Sequence, residues 1–115
     1  MNFKIEQHQL NSIIDKFVRN IYGEKLKMYV NDENYTYFYY GDYDPSYGHD
    51  RTYTPIHKNS YGTLWIDDLS LPKTISSFMS VSPSESMEII AKYISSKYNI
   101  SVKSWGNESY DPWLD

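Results

Sequence analysis

Apolar residues near the start of the chain recur at Leu10, Ile13, Ile14, Phe17, Val18 and Ile21, the three-and-four spacing that puts them on one face of a helix. Asp15, Lys16, Arg19 and Asn20 fill the other side, and Gly23 stands where a left-handed residue would close the last turn. The pattern predicts a helix over residues 4–22. Periodicity then changes. Residues 26–30 and 35–40 read as two strands joined by the turn-forming Asn31-Asp32-Glu33-Asn34, which together predict a β-hairpin. In the second strand Tyr35, Tyr37 and Tyr39 share one side and Thr36, Phe38 and Tyr40 the other.

Residues 41–62 form the longest irregular stretch, with Pro45, Gly48 and Pro55 among Asp and Asn residues. A loop of that length is uncommon in a small domain unless it carries function. Within it residues 51–56 are expected as an edge strand, where Pro55 is tolerated, and residues 63–66 as a firmer strand ended by Asp67 and Asp68. Ser82-Pro83-Ser84-Glu85 is a helix start: the Ser82 hydroxyl faces the backbone at Glu85, and Pro83 takes the first helical position, where its missing N–H costs nothing. Met87, Ile90, Ala91, Ile94 and Tyr98 follow at helical spacing, predicting a helix over residues 83–98. Residues 100–105 alternate as a final strand, while residues 72–81 fit a short helix or an extended connector equally well. The order α-β-β-(β)-β-α-β describes an α+β fold with a mostly antiparallel sheet of four to five strands and helices on one face.

With 115 residues, the chain is expected to be one domain over residues 1–115 with its own core, and residues 106–115 an acidic tail, either docked through Trp113 or free. There is no cysteine, which excludes disulfides, thiolate zinc sites and a cysteine nucleophile. No apolar run has signal-peptide or membrane-span length, so a cytoplasmic location, without membrane contact, is expected.

Charge sharpens the picture. The net charge is −4, but residues 31–70 alone hold Asp32, Glu33, Asp42, Asp44, Asp50, Asp67 and Asp68 against Arg51 and Lys58. Nine of the 13 tyrosines fall within the overlapping stretch of residues 29–61. Tyrosine offers rigid contact area with a polar tip and is enriched at protein interfaces, and interleaved carboxylates steer a basic partner. Direct nucleic-acid binding is disfavoured, because the aromatic strand has no basic groove beside it.

Catalytic signatures are missing: no phosphate-cradling glycine loop and no nucleophile elbow occurs. Residues 42–50 place oxygen side chains at Asp42, Asp44, Ser46 and Asp50 with calcium-loop spacing, yet Tyr47 and Tyr53 stand where an EF-hand requires Gly and Glu. The leading expectation is therefore a small acidic inhibitor without cofactor. It would mask the basic active or nucleic-acid-binding surface of a partner such as a toxin, a nuclease or another nucleic-acid-binding protein. Bacterial toxin-immunity and phage anti-defence proteins are analogous in size and charge alone. Its expected contact set is Tyr37, Tyr39, Asp42, Asp44, Tyr47 and Asp50, with Asp67 and Asp68 nearby. The first rival is a metal-dependent enzyme or metal-binding module in which Asp42, Asp44, His49, Asp50 and His57 converge, since imidazole and carboxylate serve both as ligands and as acid/base pairs. The second is a structural or assembly subunit.

Overall fold

The computed structural model describes residues 5–109 and 111–114. Helix α1 spans Gln7–Tyr22 and ends at Gly23, whose φ of 82° is the left-handed conformation the sequence requires there. The hairpin follows as β1 (Lys27–Val30) and β2 (Thr36–Tyr39). Its turn is held by the Asn31 carboxamide, which accepts from the backbone of both Glu33 and Tyr35.

After the long loop come β3 (Ile56–Lys58) and β4 (Thr63–Ile66). The expected edge strand at residues 51–56 is thus displaced: pairing starts at Ile56, and β3 lies inside the sheet between β2 and β4. Pro55 does not interrupt the ladder, because it precedes the first paired residue and supplies only its carbonyl, which accepts from Asp67 and Asp68. The undecided segment is helix α2 (Ser70–Met79), and α3 runs over Pro83–Tyr98 with Ser82 accepting from the Glu85 backbone as its cap. Strand β5 (Ser104–Gly106) closes the order.

The sheet runs β1-β2-β3-β4-β5. The first four strands are antiparallel neighbours, while β5 lies parallel to β4 because two helices carry the chain across between them. Register decides which face each residue takes. Phe38, Ile56 and Ile66 are cross-strand partners, and all three join Leu64 and the helix residues Ile14, Val18, Leu71, Ile75, Ile90 and Ile94 in one core. Burying each such side chain stabilises the fold by about 1.5–3 kcal/mol before entropy is counted. The helices therefore cover one face of the sheet, and Tyr29, Tyr37, His57 and Trp65 form a cross-strand row on the other.

Beyond β5, some of the described residues pack on the body. Asn107 is buried and donates to the Ile66 carbonyl at 2.9 Å, Leu114 packs on the core, and Lys73 lies 5.7 Å from the centre of the Trp113 ring. No helix among the described residues is long and apolar enough to cross a membrane.

Candidate functional site on the second sheet face

Side chains of period two put Tyr37 and His57 side by side on this face, and the loop over residues 41–55 folds back across them. The loop is built from its own carboxylates and rings. Asp44 accepts from the backbone and hydroxyl of Ser46 at 3.0 and 2.7 Å, capping the short helix Pro45–Tyr47. These two donors hold its carboxyl below the ordinary carboxylate value. The Tyr43 hydroxyl donates to the Gly48 carbonyl, and Asp50 accepts from Thr52 at 2.9 Å. Tyr43 and Tyr53 stack with centres 5.5 Å apart, and the Tyr40 hydroxyl donates to the Thr52 carbonyl. Both ends of the loop are tied to the sheet.

This architecture sets His49 over the strand pair. Its ring stacks on Tyr37 and lies 4.5 Å, centre to centre, from the ring of His57. Beneath it the His57 side chain is 8% exposed and has a carboxylate on each side. Nε2 lies 3.1 Å from Oε1 of Glu108, and Nδ1 lies 3.3 Å from Oδ2 of Asp67, whose side chain is 7% exposed. The second contact lacks hydrogen-bond geometry, and both of its atoms are buried without a partner. Burial, and then the neighbouring His49, push the pKa of His57 below its ordinary value despite the flanking carboxylates.

The contact set expected from the sequence divides. Asp42, Asp44, Tyr47 and Asp50 are exposed on the one loop, Tyr47 at 88%. Tyr37 is instead buried under His49, because the loop covers the face on which it was expected to stand free. Tyr39 is half-buried, with the Lys27 ammonium 5.5 Å from its ring centre. Asp67 is turned inward toward His57, and Asp68 accepts from the Tyr22 hydroxyl at 3.1 Å and from the Ser70 backbone at the start of α2. The eight residues therefore do not share one exposed surface.

The rival five-residue centre divides as well. His49 and His57 do meet, but their third neighbour is Asp67: one ligand-capable atom from each lies within 4.8 Å of the others. Asp44 and Asp50 are engaged in loop caps. Sequence reasoning missed Asp67 and Glu108 as partners of His57. The available signal was that Asp67, two residues after Trp65, shares its side of the sheet; it could be used only with β3 correctly placed. Compared with protein-family profiles, with curated proteins and with solved structures, the chain finds no match in any of the three.

Proposed function

We propose that the chain is a protein-binding module that offers an acidic, tyrosine-tipped loop to a basic surface of another protein, masking an active or nucleic-acid-binding site there. One observation carries the reading: Asp42, Asp44, Tyr47 and Asp50 project together from a single loop anchored at both ends. Charges so placed steer a basic partner's approach, and an exposed tyrosine on a pre-shaped loop binds without a large ordering cost.

The test is a paired capture from lysate of the native host. The baits are the wild-type chain and the variant Asp42→Asn/Asp44→Asn/Asp50→Asn, which removes three charges while keeping the capping oxygens. A basic protein should be retained by the first bait and lost from the second. Its association rate should fall about tenfold with the triple variant and become less salt-dependent. Tyr47→Ala should weaken the complex by roughly 30-fold, and excess wild-type chain should displace nucleic acid or substrate from the partner. Equal retention by both baits, or a partner without a basic surface, refutes the reading.

A further inference from the structure

With a neutral His57, its contact with Asp67 is left unsatisfied within the chain. A neutral imidazole carries one N–H. If Nε2 donates to Glu108 at 3.1 Å, Nδ1 meets Asp67 Oδ2 with a lone pair facing a lone pair at 3.3 Å. If Nδ1 holds the proton, the same conflict moves to Glu108. Orphaned polar atoms at this depth are costly, and here two lie together in side chains more than nine-tenths buried.

Three further facts bear on what resolves it. Asp67 Oδ1 already accepts from the Glu108 backbone at 3.3 Å, which aims Oδ2 at His57. Ligand atoms bonded at about 2.0–2.1 Å to tetrahedral zinc stand about 3.3–3.4 Å apart, the spacing of His57 Nδ1 and Asp67 Oδ2. The third donor, His49, stands over the pair on the loop, its ligand atom within 4.8 Å of theirs, so a small loop movement completes the set.

The geometry points to a site for a divalent transition-metal ion of the zinc class, bound by His49, His57 Nδ1 and Asp67 Oδ2, with Glu108 as a positioning residue that holds the His57 ring through Nε2. Two imidazoles and one carboxylate are a donor set that zinc accepts and that magnesium and calcium, which prefer oxygen alone, do not. A carboxylate on the far nitrogen of a ligating histidine is the usual orienting partner. Because His49 belongs to the loop and the other two ligands to the sheet, the ion would fasten the loop to the sheet. The site stands independently of the docking surface, since none of its three ligands is among the exposed carboxylates or Tyr47.

The experiment uses the full chain, stripped with chelator and titrated with zinc chloride by calorimetry, with magnesium and calcium chlorides in parallel. One zinc per chain should bind, and the melting midpoint should rise by roughly 10 °C at a hundredfold excess over Kd, with no response to magnesium or calcium. His49→Ala, which alters an exposed loop side chain, and Asp67→Asn, which keeps the shape, should each weaken binding at least tenfold. Glu108→Gln should keep the stoichiometry while weakening affinity about 10-fold or more. His8→Ala, in the first turn of α1 and 3.7 Å from Glu6, should bind as wild type. Zinc should also slow tryptic cleavage after the exposed Arg51 in the wild type and not in His49→Ala. Absence of saturable zinc binding, or unchanged binding by both His49→Ala and Asp67→Asn, overturns the assignment and leaves a doubly paired His57 imidazolium as the explanation of the contact.

Discussion

Helices α1 and α3 are joined by a polar triad whose worth can be measured by removing its members one at a time. The Tyr93 hydroxyl donates to Asp15 at 2.6 Å, and the Lys97 ammonium lies 2.7 Å from the same carboxylate. Tyr93 is wholly buried, while Asp15 and Lys97 keep 26% and 21% of their side chains in solvent. Tyr93→Phe removes one hydrogen bond to a charged acceptor but leaves Asp15 paired with Lys97, so its cost should lie at the low end for such bonds, about 1.5 kcal/mol. Asp15→Ala is more severe. It orphans a hydroxyl that water cannot reach, at about 1–3 kcal/mol, and it also breaks the ion pair. That pair's partial exposure limits its share to about 1 kcal/mol. The expected total is roughly 2–4 kcal/mol.

The decisive variant is the double one. With Asp15 already absent, removing the Tyr93 hydroxyl deletes the orphan, so Tyr93→Phe should then be neutral or mildly stabilising. A coupling energy of about 1.5–2.5 kcal/mol follows. Urea denaturation at neutral pH, followed by far-ultraviolet circular dichroism, resolves this readily, since a 2 kcal/mol loss moves the midpoint by about 1 M at an ordinary denaturant slope. If the two single losses simply add in the double variant, the hydroxyl and carboxylate are not acting on each other. The α1–α3 contact would then owe nothing to the Tyr93–Asp15 hydrogen bond.

Other outcomes follow from the same structure. Burial raises the pKa of Tyr22, Tyr93 and Tyr98, the last to about 12; their contribution to stability is full below the unfolded value of 10.0 and lost as pH rises through the folded values. Absorbance titration should therefore show a late, unfolding-linked group of tyrosines, and a single early step for all of them would contradict the burial argument. His57 is shifted the other way, below 6.5, so in chelator-treated protein stability should be full above that value and decline as pH falls from it toward the depressed folded value. His57→Gln should flatten the pH dependence of the urea midpoint across that window, and an unchanged slope would assign it to other groups. Gly62 has a φ of 97°, and a Cβ there would stand 3.0 Å from Lys103 Cγ; Gly62→Ala should cost about 1–2 kcal/mol, mostly from the backbone because the lysine can move. An unchanged melting midpoint in that variant would show that the turn relaxes freely.

What the sequence made legible followed from local rules. The helix at residues 83–98 and the end of the first helix were readable because a Ser-Pro start and a glycine stop act within one turn. The hairpin was readable because alternation and turn residues agree. The failures share another cause, which is that facing depends on partners distant in sequence. Asp15 sits between polar residues on α1 and reads as solvent-facing, yet α3 supplies Tyr93 and Lys97 to meet it, 78 and 82 positions away. Tyr37 reads as exposed on an alternating strand, but nothing local to the strand reports that the loop bearing His49 will return over it. The histidine site combines both difficulties, since it needs a three-residue strand hidden behind Pro55, the register of β3 against β4, and a carboxylate from beyond β5. The sequence showed the crowding of acid and tyrosine in the middle of the chain; the fold separates that crowd into an outer set, Asp42, Asp44, Tyr47 and Asp50, exposed on the loop, and an inner set, Tyr37, His49, His57 and Asp67, turned toward one another. Of the inner set only His49 stands on the loop that carries the outer set, so whatever fastens His49 to Tyr37, His57 and Asp67 also fixes the shape of that loop.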